Sequence, residues 1–296
     1  MQHKLSGPSA TGAARPRRIR SKPVQRFLRN RLALLGAVVF IVIVVTAILA
    51  PLLTPYNPVQ AAFGEIRKAP SAAHWFGTDE LGRDVLSRVL YSARVSLTAS
   101  IASVALALVL GGGLGLISGY FRGRVDEFIM RLTDALLSLP FLVLAIALAA
   151  ILGPSLQNAM LAIGIVSAPA FARIIRGEIL AQREREYVAA AIAIGASDAR
   201  VLFKYLVPNI SGALIVQISL SIANAILAES SLSFLGLGIQ PPTASWGAML
   251  NAARPYLTDA PWMTAFPGLA IFLACLAFNL IGDGLREALD PQARRQ

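Results

Sequence analysis

Side chains able to do acid–base or nucleophilic chemistry are sparse in this 296-residue chain, and they are not grouped. The two histidines, His3 and His74, are far apart, and the one cysteine, Cys275, sits inside an apolar run. Neither a Ser-His-Asp nor a Cys-His grouping can be assembled from them. A disulfide or a Cys-based metal site is equally out of reach, and His74 has no neighbours of metal-ligand type and spacing. No glycine precedes a lysine anywhere, so the Gly-x-x-x-x-Gly-Lys-Ser/Thr loop that cradles nucleotide phosphates is missing. The expectation is a chain that is not an enzyme, with no catalytic residue, no metal site and no cofactor bound by itself.

The polar residues that remain fall at helical spacings within apolar runs. Gln217, Ser221 and Asn224 are four and three apart, which stacks them on one helix face. One reading is a polar stripe along a translocation route; the other is hydrogen bonding to neighbouring helices. Ser96, Ser100 and Ser103 share a face and admit the same two readings. Gly111, Gly115 and Gly119 recur every four residues and are assigned to close helix packing.

Composition defines the setting of these residues. A hydrophobic fraction of 56%, 15% charged residues and a mean hydropathy of +0.64 are wrong for a soluble protein of this size. The formal charge of +11 does not indicate nucleic acid. The basic residues gather at the ends of apolar runs, and no basic groove is interleaved with aromatics.

Taken in order, residues 1–31 form a basic arm without an acid, its first part expected to be disordered and Val24 onward a short interfacial helix. A transmembrane domain over 32–285 follows. Its spans are expected at about 32–53, 95–121, 135–152, 156–172, 210–228 and 262–281, each judged against a hydrocarbon core of ~30 Å. The first exceeds the apolar length of a signal peptide and is read as a retained span. Residues 135–172 carry no charge and are too long for one crossing, and Gly153-Pro154-Ser155 supplies the turn. Extracytoplasmic loops are placed at 54–94 and 229–261, a cytoplasmic loop at 178–209 and a cytoplasmic tail at 286–296. Within the first outer loop, Glu80 to Leu90 reads as an amphipathic helix against the bilayer. The segment 229–242 reads as re-entrant or interfacial, with Trp246 and Trp262 near the headgroups. The arm, the Arg122 turn, the 178–209 loop and the tail share the arginine-rich side, which puts both termini inside.

The 186–209 stretch is the most distinctive. Ala189, Ala190, Ala191 and Ala193 favour a helix of little bulk, and Gly195 suits its left-handed end. Ser197 is placed to cap a second helix with Asp198 in its first turn, and Pro208 to end that helix near Val207. Such a knuckle between spans is a shape for docking onto another protein, or an ordinary surface connector.

The residues Glu186-Tyr187-Val-x-Ala-Ala, then Gly195 and Pro208-Asn209, resemble the "EAA" cytoplasmic loop of ABC-importer permeases. The position usually acidic in the EAA triplet is Ala189 here, the nearest acid being Glu186, a form similar to the Tyr-Val-x-Ala-Ala loops of peptide-importer permeases. Residues 74–97, beginning His74-Trp-Phe-Gly-Thr-Asp-Glu-Leu-Gly-Arg, and 229–247, beginning Glu229-Ser-Ser-Leu-Ser-Phe-Leu-Gly-Leu-Gly, resemble the dipeptide/oligopeptide/nickel branch of that family. The resemblance implies an all-α membrane protein of the type I ABC-importer permease fold, with six transmembrane helices, in the bacterial cytoplasmic membrane. It also implies a homologous second permease, two cytoplasmic ATP-binding subunits that carry ATP and magnesium, and an extracytoplasmic solute-binding protein. Glu186, Tyr187, Ala190, Ala191, Gly195, Ala196, Ser197, Arg200 and Pro208 would then form the contact with the ATP-binding subunit. Ala190, Ala191 and Gly195 would permit close approach, and Glu186 and Arg200 would supply polar contacts.

Energy for uptake must come from such a partner or from an ion gradient. A secondary carrier usually keeps ionisable groups within its spans, whereas here Asp134, Arg173, Glu229 and Asp283 fall at the expected edges. The distribution favours a pathway driven from outside over an ion-coupled carrier; a non-transporting scaffold is the third reading.

Overall fold

The computed structural model describes residues 23–54 and 56–289, a bundle of helices without a β-strand among the described residues. The arm over 1–22 and the tail beyond 289, for which disorder and a cytoplasmic location are expected, lie outside the described residues. Five helices are long and apolar enough to cross a membrane, six if one sharply bent pair counts as a span.

A short helix α1 (Pro23–Arg29) leads into α2 (Arg31–Leu53). Asn30 joins them: its side-chain oxygen accepts from Ala33 N at 3.0 Å, and its amide donates to Glu287 at 2.6 Å. Pro51 lies inside α2 and has no N–H for the carbonyl of Ala47. Arg94 supplies the missing donor from the neighbouring helix, with Nε at 2.5 Å from Ala47 O and Nη2 at 2.6 Å from Ile48 O.

That neighbour, α3 (Val85–Phe121), is 37 residues long, or about 55 Å at 1.5 Å per residue. It begins ten residues before the expected span, and this corrects the reading of Glu80–Leu90 as an amphipathic helix on the bilayer. Residues 74–84 are instead a compact loop. Gly82 adopts φ +76, and an added Cβ would lie 1.9 Å from Ala62 O, so only glycine fits. Asp84 caps α3, accepting from Ser87 N at 2.8 Å and Ser87 Oγ at 2.7 Å. Val85, Arg88 and Val89 are buried in the protein and do not face lipid.

After α3 come α4 (Gly123–Leu137) and α5 (Phe141–Leu152), bent by 91° across the break at Ser138–Pro140. The span expected at 135–152 is therefore not one helix: α5 has 12 residues and is about 18 Å long, too short to cross alone. Pro140, which cannot donate a backbone hydrogen bond, marks the break. α6 (Leu156–Arg183) runs eleven residues past the expected edge at 172, because strong helix formers such as Leu180, Ala181, Gln182 and Arg183 continue it. The next segments are α7 (Glu186–Ala193), a single turn α8 (Asp198–Arg200) and a π-helical segment Val201–Leu206 that feeds directly into α9 (Val207–Phe234). The expected stop near Val207 is thus a correction as well. Pro208 sits in the first turn of α9, where its missing N–H matters least, and the Asn209 side chain donates to Tyr205 O at 2.6 Å.

α9 also carries Glu229 through Phe234, which the sequence reading placed in a loop, and Glu229 is fully buried. α10 (Trp246–Ala253) and α11 (Trp262–Leu289) complete the chain. Trp246, expected at the headgroups, is 1% exposed and donates from Nε1 to Val89 O at 3.0 Å. An indole N–H must find an acceptor when buried, and the α3 backbone provides it.

The tightest crossing is α3 on α6. A Cβ on Gly111 would lie 2.0 Å from Ala168 O, one on Gly115 2.6 Å from Ala172 O, and one on Gly119 2.9 Å from Ile179 Cβ. The glycine stripe therefore faces α6, and backbone meets backbone there. Gly111→Ala should lower the melting temperature of detergent-purified protein, by overpacking of about 1–3 kcal/mol. Gly113→Ala, with nothing within 4 Å, should leave it unchanged. Equal melting of the two variants would contradict this packing.

The 54–84 loop is fastened by His74, buried between two carboxylates: Nδ1 lies 2.9 Å from Asp84 Oδ1 and Nε2 2.7 Å from Glu65 Oε2. Burial by itself disfavours the imidazolium, but the hydrogen bonds to Asp84 and Glu65 outweigh it and raise the His74 pKa above its ordinary 6.5. The hydrogen bond from His74, aided by Lys68, lowers the Glu65 pKa below 4.5. A raised histidine pKa stabilises the fold fully below 6.5, and the gain is lost as pH rises through the folded value. A depressed carboxylate pKa stabilises above 4.5, and that gain is lost as pH falls through the folded value. Amides of residues 65–84 should thus exchange most slowly between about pH 4.5 and 6.5, after correction for intrinsic rates. In His74→Asn the alkaline limb should flatten.

Candidate functional site

Two features stand out: the knuckle between α6 and α9 at the arginine-rich end, and a groove along the same two helices. In the knuckle, α7 turns its Val188 and Ala191 inward, and both are buried. With Val201 and Leu206 they meet Ile175 and Ile179 of α6, Ile210 of α9 and Tyr120 of α3. The opposite face is open: Ile194 is 82% exposed, and Ile192, Ala190, Glu186 and Arg200 are exposed as well. Gly195 separates the two helices at φ +81, with no atom within 4 Å of an added Cβ.

Of the nine residues singled out here from the sequence, Glu186, Tyr187, Ala190, Gly195, Ser197 and Arg200 lie on the exposed surface, and Ala196 is half-buried. Ala191 is turned into the bundle and cannot be reached by a docking protein. Pro208 is exposed but belongs to the first turn of α9. Ser197 occupies the cap position of α8, yet its side chain makes no capping hydrogen bond. Its neighbour Asp198 instead accepts from Tyr120 Oη at 2.5 Å. The Arg183 guanidinium sits 5.0 Å over the Tyr120 ring and donates to the Tyr120 carbonyl. Sequence reading missed Tyr120. Its one signal was an aromatic with a polar tip at the end of an apolar run.

The groove has two parts. The outer one, about 510 Å³, is lined by α5, α6 and α9 and contains Gln217, Ser221 and Asn224 together with Ser167 and Ser231. The inner one, about 540 Å³, lies between α6, α9 and α11, and Gln217 belongs to both. Asn209 and Ser231, at its ends on α9, are about 33 Å apart along a helix axis, close to the hydrocarbon thickness of ~30 Å. Gln217 Nε2 donates to Ser221 Oγ at 3.1 Å on its own helix, and among the described residues the stripe makes no hydrogen bond to another helix. Ser100 and Ser103 return their hydroxyls to carbonyls four residues back, and Ser96 Oγ lies 3.4 Å from Trp246 N; all three are buried in packing.

Comparison with known proteins agrees with this architecture. Residues 111–295 match the family described as binding-protein-dependent transport system inner membrane component, and residues 24–70 match the N-terminal transmembrane domain of oligopeptide transport permease C. The dipeptide transport system permease protein of Alkalihalophilus pseudofirmus is 45% identical over 90% of this chain and 88% of its own. The di/tripeptide permease of Pseudomonas aeruginosa is 45% identical over 91% of each, and the glutathione permease of Pectobacterium atrosepticum 44% over 91% and 90%. An inward-facing structure of the MetNI methionine ABC transporter shares the fold, with a TM-score of 0.58 at 17% identity over 69% of this chain and 97% of that one.

The fold is that of a type I ABC-importer permease. The chain belongs to the family of binding-protein-dependent transport system inner membrane components. It is a multi-pass permease subunit of the bacterial inner membrane that works with ATP-binding subunits and a substrate-binding protein, and the secondary-carrier and scaffold readings fall away.

Tyr120→Phe removes one hydroxyl that bonds a carboxylate, a contact worth about 1.5–3 kcal/mol. Hydrogen exchange of residues 186–206 should quicken about tenfold or more, with membrane insertion unchanged. Unchanged exchange would rule out this seat.

Proposed function

We propose that this chain forms one wall of a peptide-conducting pathway, moved from outside through the knuckle. One observation carries the reading. The helices that wall the groove, α6 and α9, are the same two that enter and leave the knuckle, ending at Arg183 and beginning at Val207. A displacement of the knuckle therefore moves both walls. Its buried face is fixed to the bundle and its open face presents Ile192, Ile194 and Ala190, an apolar surface for a cytoplasmic ATP-binding subunit.

The groove is open along one side, and a homologous second permease would close it. ATP binding draws two ATP-binding subunits together, the paired knuckles follow, and the walls part toward the outside to accept peptide from the binding protein. Hydrolysis of ATP, with its magnesium, takes place on those partners. Peptide as the cargo rests on the dipeptide, di/tripeptide and glutathione permeases among the relatives. The neutral amides and hydroxyls of Gln217, Ser221 and Asn224 suit a cargo whose backbone both donates and accepts.

Gly195→Trp tests the docking role in the complete transporter. Its side chain has room within the chain but projects into anything seated on the knuckle. The variant should reach the membrane and permit ATP hydrolysis while uptake falls at least about tenfold, a coupling loss near ~1.4 kcal/mol. Gly195→Asn, which tolerates a left-handed backbone, separates strain from obstruction and should retain most uptake. Normal uptake by Gly195→Trp rejects the docking role.

A further inference from the structure

We propose that Glu178 and Arg286 form a charge pair that receives the two termini of a peptide at the inner end of the groove. The proposal rests on the pathway reading above and adds to it a binding subsite for a zwitterionic peptide backbone. No ionisable side chain lines the outer part of the groove. The inner part has one acid and one base: Glu178 from α6, and Arg286 from the last turns of α11. They reach a shared cavity of about 540 Å³ from different walls.

Neither is engaged. Among the described residues Glu178 and Arg286 make no ion pair and no side-chain hydrogen bond, whereas other charges on α6 are committed. Arg173 pairs with Asp134 at 2.6 Å, and Arg176 grips both oxygens of Asp126 at 2.5 and 2.6 Å. Arg173 and Arg176 thus engage α4, and Arg183 engages Tyr120 of α3, while Glu178 faces the cavity. A free peptide at neutral pH has an ammonium at one end and a carboxylate at the other. An acid and a base offered from different helices of the wall complement both ends, whatever the side chains between them. Gln217, where the two parts of the groove meet, has an amide that can donate to and accept from a peptide group. Because Arg286 is exposed and Glu178 half-buried, water screens the attraction. A conducting site must also release what it binds, and a weak hold fits that need.

The experiment uses the complete transporter in proteoliposomes, with both permeases, the ATP-binding subunits and the binding protein, and radiolabelled dialanine as the probe. Glu178→Gln and Arg286→Gln keep size and remove charge. Each should lower maximal dialanine uptake roughly five-fold, the upper end for a solvent-exposed charge pair, while ATP hydrolysis stimulated by the loaded binding protein stays at the wild-type rate. In assays on any N-acetylated or C-amidated dipeptide that the binding protein accepts, Glu178→Gln should equalise free and N-acetylated forms. Arg286→Gln should do so for free and C-amidated ones. Wild-type dialanine uptake in both variants would overturn the proposal. A parallel fall of uptake and ATP hydrolysis would do so too, since it marks a contact between subunits. Gln217→Trp judges the pathway separately: if it blocks uptake while the charge variants are silent, the pathway stands without this subsite. If it leaves uptake intact, the pathway itself is refuted.

Discussion

The backbone contact between α3 and α6 is the constraint on which the remaining architecture rests. Three glycines four residues apart bring α3 against the carbonyls of Ala168 and Ala172 and against the side chain of Ile179, with no side chain contributed by α3 at these three positions. Lipid tails provide no hydrophobic drive for two helices to associate, so close van der Waals packing has to hold them. Once α6 is fixed on α3, one wall of the groove is set and the start of the knuckle is placed. Tyr120, next to Gly119 at the end of α3, then reaches Asp198 and supports the knuckle from below. One seam thus organises both functional features.

A second economy concerns polar groups in a solvent that cannot satisfy them. Pro51 frees a carbonyl on α2 and Arg94 of α3 takes it, so a helix irregularity becomes a link between helices. Trp246 repeats the device by donating its indole N–H to α3. The outer loop uses charge in the same way, holding His74 between Glu65 and Asp84 beside the cap of α3. These fastenings all converge on α3, which explains why that helix projects beyond the span its hydropathy marks.

Much of this was legible in the sequence, unevenly and for physical reasons. The charge-free runs gave the span cores, because apolar length alone sets what crosses a bilayer. The Gly111-Gly115-Gly119 spacing gave the packing face, since only small residues repeating at four allow such proximity. The left-handed Gly195 followed from the alanines before it. Helix ends were less accessible: the span was expected to end at 172 and a loop to start at 178, but most residues from Arg173 to Arg183 are good helix formers and α6 carries them outward. Pro208 looked like a stop, yet a π-helical segment shifts the register so that it opens α9. Trp246 looked interfacial because the sequence holds no trace of α10 folding inward. The Tyr120–Asp198 bond spans 78 residues and no local pattern signals it. That Glu178 and Arg286 have no partner among the described residues emerged only once the partners of the other charges were located.

The groove's open side has a consequence for the life of the subunit before assembly. Gln217 and Ser221 are half-buried and Asn224 is exposed in a groove open along one side, so a solitary copy inserted in the bilayer would present Asn224 and part of its polar neighbours to acyl chains. Unsatisfied polar groups in hydrocarbon are costly, by roughly 1–3 kcal/mol each on mutational scales. Partnering relieves that cost by mass action. The same side chains that serve passage would thereby make the orphan subunit less persistent than the assembled one, and its abundance in the cell would follow the supply of its mate.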